Sequence, residues 1–114
     1  MVVAQKYKKP VVLEEFGFPR DGFHFSKSTS TEVRDEYYQY VFDLIRQDRE
    51  NGGLFAGCNF WAWGGFAEQN PDHIYWEKGD DYTGDPAQEE QGLNSVFATD
   101  TTVEIIKTEN AKLK

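Results

Sequence analysis

Two short apolar runs enclose one helix-length segment, and that order leaves few folds open. The first is Val11-Val12-Leu13; the second is Leu54-Phe55-Ala56-Gly57-Cys58-Asn59-Phe60-Trp61. The first is too short for a helix and rich in β-branched residues, as in a strand buried on both faces of a parallel sheet. Between the runs, Val33, Tyr37, Tyr40, Val41, Leu44 and Ile45 recur at helical spacing and form one apolar stripe. Thr29, followed three residues later by Glu32, fits a capping box at the helix start. Asn51-Gly52-Gly53 supplies the left-handed residues that end helices. Strand, helix, strand is the βαβ unit of a parallel sheet, so the fold class is α/β.

Chemistry is expected where the first strand ends. The strand covers about Pro10 to Glu15, and Phe16-Gly17 breaks the extended chain directly after Glu14-Glu15. In barrels and open sheets of parallel strands, active sites gather at that end. A carboxylate there either does chemistry or marks the strand's emergence into solvent. Strand alternation puts Glu14 on the opposite side from Glu15, which assigns Glu14 to structure. Trp61 and Trp63 stand two apart and share a face if the second strand continues. At a strand mouth such indoles either stack on sugar rings or plug the interior. His24 lies between Phe23 and Phe25 in a loop from Phe16 to Ser30, open to reading as a surface residue or a substrate contact.

Other segments carry weaker signals. Residues 1–8 are a polar lead-in with the pattern of a closing helix (Val3, Tyr7). Gly64 to Gln91 is long, acidic and without periodicity, the profile of a functional or solvated loop. Asp80-Asp81-Tyr82-Thr83-Gly84-Asp85 has a superficial calcium-loop look, but Gln91 stands where the twelfth-position Glu belongs. With His24 and His73 far apart, no histidine metal site is expected. Leu93 to Phe97 is a short apolar segment. Thr99-Asp100-Thr101 then caps a last helix docked by Val103, Ile105, Ile106 and Leu113. A net charge of −8 argues against nucleic acid or an anionic membrane as partner. No apolar stretch approaches the roughly 20 residues of a membrane span, and Met1 to Lys6 lacks the apolar core of a signal peptide. The single cysteine, Cys58, cannot form an internal disulfide and is expected as a buried structural thiol.

Pro10-Val11-Val12-Leu13 with Glu15-Phe16-Gly17, then Asn59-Phe60-Trp61-Ala62-Trp63-Gly64, then Gln91-Gly92-Leu93-Asn94-Ser95-Val96-Phe97 together resemble the end of a family 5 glycoside hydrolase. Within that family the likeness is to endo-β-1,4-mannanases, and it runs from about Lys9 to Lys112. The resemblance implies the last βα units, strands seven and eight, of a (β/α)₈ TIM barrel. A complete barrel takes about 250 residues. The chain of 114 residues is therefore expected as a single partial domain, 1–114, incomplete on its own.

The resemblance implies that Glu15 is the nucleophile of a retaining hydrolase and that Trp61 floors the sugar site. Trp63 and His24 are further candidate substrate contacts. The substrate would be β-1,4-mannan or a related β-linked glucan, cut without metal or organic cofactor by a secreted or periplasmic parent enzyme. The family's Asn-Glu acid/base strand has no counterpart here, so the chain alone is expected to be inactive. Open sheet edges invite self-association, or association with the missing N-terminal part of the barrel. The rival from another class is a non-catalytic carbohydrate-binding module with a Trp platform. Such modules are mostly β-sandwiches with almost no helix.

Overall fold

The computed structural model describes residues 2–113. Helix α1 (Val2–Tyr7) leads into strand β1 (Val11–Phe16), and a 3₁₀ turn at Asp21–Phe23 precedes α2 (Glu32–Glu50). Strand β2 (Phe55–Phe60) follows, then β3 (Trp63–Gly65), β4 (Val96–Phe97) and α3 (Thr102–Lys112). β1 and β2 are parallel neighbours joined through α2, and β3 and β4 form a second parallel pair. Parallel pairing and two substantial helices exclude the β-sandwich of a binding module.

The core lies on one side of the β1–β2 sheet. Phe16, Tyr38, Val41, Ile45 and Val96 are buried there, backed by Leu13, Phe55, Cys58 and Phe60 from the strands. Val103, Ile105, Ile106 and Leu113 dock α3 against the same cluster, as their pattern predicts. Burial pushes the Cys58 thiol up from its ordinary value, which disfavours the reactive thiolate. Among the described residues the other face of the sheet carries no helix: Val12, Glu14, Glu15 and Trp61 are all exposed. A closed domain of this length has a radius of gyration of roughly 13 Å; this chain measures 16.1 Å and extends over 51 × 24 × 23 Å. An α/β unit covered by helices on one side only is what an incomplete barrel leaves.

Two features of α2 differ from the sequence pattern. Its first turn is not capped by a Thr29–Glu32 box. The carboxylate of Asp21, from the preceding loop, accepts from the N–H groups of Glu32 (3.0 Å) and Val33 (3.1 Å) and from the Ser30 hydroxyl. The Ser30 hydrogen bond, with those two backbone N–H groups, holds the Asp21 carboxyl below its usual value. The buried stripe keeps Val41 and Ile45, with Tyr37 packed at its edge, but loses Val33, Tyr40 and Leu44. Arg34, Tyr38, Val41, Phe42 and Ile45 face inward, while Val33, Tyr40 and Leu44 are exposed. An arginine displaces the expected valine because the loops beneath α2 present carbonyls that need donors.

Those donors form a buried hub. Arg34 donates to the carbonyls of Phe18 (2.7 Å), Leu93 (2.7 Å) and Ser95 (2.9 Å). Arg20 donates to Gly92 (3.0 Å), Thr29 (3.1 Å) and Ser95 (3.2 Å). Asp100 answers both charges: it accepts two bonds from Arg20, at 2.9 and 2.6 Å, and lies 3.7 Å from Arg34. Its Oδ2 also accepts from the Phe97 N–H at 2.7 Å, in place of the expected Thr-Asp-Thr cap on α3. Replacing Asp100 with Ala strands two buried guanidiniums and is expected to lower unfolding stability by about 3–5 kcal/mol. The exposed Glu104→Ala should change it by less than about 0.5 kcal/mol. Urea titration followed by circular dichroism measures both.

Candidate active site

The ends of β1 and β2 meet through a backbone bond from Trp61 N–H to Phe16 O, 2.6 Å long. Phe16 and Phe60 are register partners, and both rings pack on Tyr38 of α2, with centroids 4.8 and 6.0 Å away. Their chain neighbours Glu15 and Trp61 therefore belong to the face that α2 leaves open. Both are exposed, Trp61 at 37%. Between the pairs Leu13–Cys58 and Phe16–Phe60, β1 takes three steps and β2 takes two. The extra residue is a bulge at Glu14-Glu15, the irregularity often found where a strand re-aims a side chain. It cancels the alternation that would send Glu14 to the other side: Glu14 is exposed rather than packed into the helix layer.

Trp61 is held by what surrounds its carbonyl. A Cβ on Gly17 would sit 2.6 Å from Trp61 O, so only glycine lets the strand ends approach this closely. The Tyr38 hydroxyl reaches the same oxygen at 3.4 Å, and burial pushes that phenol up from its ordinary value. The Trp61–Ala62 peptide is cis. Ala62 then pairs with the far segment, its N–H to Asn94 O at 3.4 Å and its carbonyl to the Val96 N–H at 2.7 Å.

Trp63 does not share a strand with Trp61. β2 stops at Phe60 and the chain turns into β3. There Trp63 lines a cleft with Phe42, Phe60, Ile106 and Asn110, on the side of the helices. His24 is exposed on the loop after the 3₁₀ turn, its N–H directed to Asp21 O at 3.3 Å. Among the described residues no hydrogen bond links it to Glu15 or Trp61.

The acidic loop expected to be solvated is largely knitted together. Asp85 is buried and accepts from Gly92 N–H (2.8 Å), Asn94 N–H (3.1 Å) and the Ser95 hydroxyl (2.5 Å). His73 lies between two carboxylates, Nδ1 at 2.8 Å from Asp80 and Nε2 at 3.2 Å from Glu77. Asp80 also accepts from Asn70 Nδ2 (2.9 Å) and Glu77 N–H (3.0 Å), and the Asn70 bond leads in holding its carboxyl low. Trp76 stacks on Tyr82, centroids 5.2 Å apart and planes within 10°. The sequence carried one signal for this cluster, a histidine four residues before Glu77 and seven before Asp80.

Parallel strands with one-sided helical cover make this chain an α/β unit of an incomplete barrel. The chain belongs to the family described as GH family 5 beta-mannosidase-like, which matches residues 1–114. Among solved structures it is similar to a glycoside hydrolase family 5 mannosidase from Rhizomucor miehei, with 40% identity and a TM-score of 0.83. The match covers 96% of this chain and 28% of that one. A glutamate-to-alanine variant of that mannosidase in complex with mannosyl-fructose matches at the same identity, TM-score and coverage. A second such variant matches at 39% identity, a TM-score of 0.83 and the same coverage. The chain thus spans 28% of the length of the enzymes it resembles. A search of curated proteins found no match.

His73 generates a pH prediction. Its hydrogen bond to Asp80 raises it above the ordinary histidine value, against a smaller opposing effect of burial, with the charges of Asp80, Glu77 and Asp72 adding. The protonated ring is therefore the one the fold favours. Its contribution is complete below the unfolded imidazole's titration and is lost as pH rises through the higher folded value. Titration by NMR should give a His73 midpoint above about 6.5. His73→Gln should remove that part of the pH dependence of stability.

Proposed function

We propose that this chain is the C-terminal part of a retaining β-mannoside hydrolase, in which Glu15 is the nucleophile and Trp61 the floor of the sugar site. One observation carries this: Glu15 and Trp61 flank the paired residues Phe16 and Phe60 on the bare face, at the C-terminal ends of adjacent parallel strands. In such a mechanism two carboxyls stand about 5 Å apart across the scissile bond. Glu15 would attack the anomeric carbon while the second carboxyl protonates the leaving oxygen, and water would then hydrolyse the glycosyl ester. Glu14 sits in the same bulge, on the same strand, and cannot stand across the bond from Glu15. We assign the acid/base role to no residue of this chain.

The substrate we favour is β-1,4-mannan or a manno-oligosaccharide, with related β-glucans second. Membership of a mannosidase-like family supports it, as does a relative solved with mannosyl-fructose. His24 is assigned to the rim of the site through its loop. Trp63, 54% exposed at the helix-side cleft, stays a candidate contact on a different segment from Trp61.

The purified chain should release no reducing sugar from β-mannan. A dinitrophenyl 2-deoxy-2-fluoro-β-mannoside needs no acid assistance to lose its leaving group. It should therefore form an ester found by peptide mass spectrometry on Glu15, in the parent chain and in Glu14→Gln but not in Glu15→Gln. Label on Glu14 alone, or none, would remove the nucleophile assignment.

Val33, Tyr40 and Leu44 form an uncovered apolar line on α2, at 49%, 59% and 43% exposure. Among the described residues β1 and β2 also leave their outer edges unpaired. We propose that copies of the chain associate through these surfaces when the rest of a barrel is not there to cover them. Light scattering should report oligomers, and the triple change Val33→Ser, Tyr40→Ser, Leu44→Ser should shift them toward monomer.

A further inference from the structure

We propose that the stacked pair Trp76–Tyr82 is a second sugar platform, serving a hexose unit of a manno-oligosaccharide beyond the one at Trp61. The inference rests on the carbohydrate reading above and extends it to chain length.

Three observations carry it. Tyr82 presents an open aromatic surface: one side of the ring lies on Trp76, and the residue is 80% exposed. That surface is held in place. The Trp76 indole N–H donates to Asp80 O at 3.1 Å, and Asp80 is itself fixed by Asn70, His73 and the Glu77 N–H. The clamped ring is Trp76; Tyr82 is held by stacking on it, so a ligand covering Tyr82 meets a surface with a fixed backing.

The third observation is position. The residues after Tyr82 lie directly on the segment that leaves Trp61. A Cβ on Gly64 would be 2.6 Å from Thr83 O, and a Cβ on Gly84 would be 3.2 Å from the Ala62 Cβ. Gln91 secures the contact from the far side, accepting from the Thr83 hydroxyl at 3.0 Å. Tyr82 is thus tethered one residue from a strand-to-loop junction that also carries Trp61. An oligosaccharide that runs from Trp61 along this segment would meet that second aromatic surface. Asp81, next to Tyr82, is exposed; one oxygen accepts from the Glu68 N–H at 2.8 Å, and the carboxylate would serve as a rim acceptor for sugar hydroxyls.

The test uses mannobiose and mannohexaose with the 114-residue chain, read by calorimetry and by the indole N–H resonances of its three tryptophans. Mannohexaose should shift the Trp76 indole signal, and mannobiose should shift it far less. Tyr82→Ala should weaken mannohexaose by about fivefold to tenfold, the size of one aromatic contact, and leave mannobiose unchanged. Tyr82→Phe should retain binding, because the ring and not the hydroxyl forms the surface. If Tyr82→Ala binds mannohexaose as the parent does while Trp61→Ala weakens both sugars, the second platform is wrong and the Trp61 assignment stands. If Tyr82→Ala weakens mannohexaose and Trp61→Ala changes neither sugar, the platform stands and the Trp61 assignment fails. No mannohexaose binding by the parent chain would overturn both.

Discussion

One carboxylate, Asp100, its side chain 6% exposed, holds two buried arginines, and the loops gathered around them depend on it. Loops around Phe18, Thr29 and Gly92 to Ser95 turn their carbonyls inward, where no strand supplies the matching N–H groups. Buried carbonyls must be paired. Arg20 and Arg34 supply the donors, and burying their charge would cost several kcal/mol each without a counter-ion. Asp100 offsets that cost while also accepting from the Phe97 N–H at the end of β4. Among the described residues no buried side-chain polar atom is left without a partner.

The hub reaches the site through chain connectivity. Arg34 grips Phe18, two residues beyond the Phe16 that pairs with Phe60, so it fixes the path of the chain as it leaves β1. Both arginines grip Ser95, next to the Val96 that bonds Ala62 O, so the exit from Trp61 is fixed as well. Gly17 lets these two exits touch. Glu15 and Trp61 are thereby held by loops on the helix side, while the face they share stays free of cover. That division suits a barrel, in which the helix side carries stability and the strand ends carry chemistry.

Local pattern was enough for the elements and too little for their details. The βαβ unit, the glycine stop after α2 and the docking residues of α3 are all legible in residues spaced a few positions apart. The α2 cap is invisible to local pattern because its acceptor, Asp21, lies eleven residues before Glu32 and reaches it only when the loop folds back. The apolar stripe holds at Tyr37, Val41 and Ile45 and fails at Val33, which hydrophobicity counts as core although the inward position belongs to the arginine that the loops require. The Glu14–Glu15 bulge leaves no compositional trace, since it is a mismatch in step count between two strands. The acidic run at 80–85 read as solvated because its partners, Asn70, His73, Gly92 and Ser95, lie outside it.

By itself the sequence determined the β1–α2–β2 unit and α3, that β1 and β2 run parallel, and that a carboxylate and an indole stand near their C-terminal ends, while the β3–β4 pair escaped it. These follow from periodicity, capping and chain order, all of which act over short distances. Only the tertiary structure decided which acids lie on the open face, that Trp63 parts company with Trp61, and that Trp76 and Tyr82 form one surface. Those outcomes depend on contacts between residues far apart in the chain, such as Arg20 with Asp100 across 80 positions, and no local pattern encodes which distant partner a buried polar group will find.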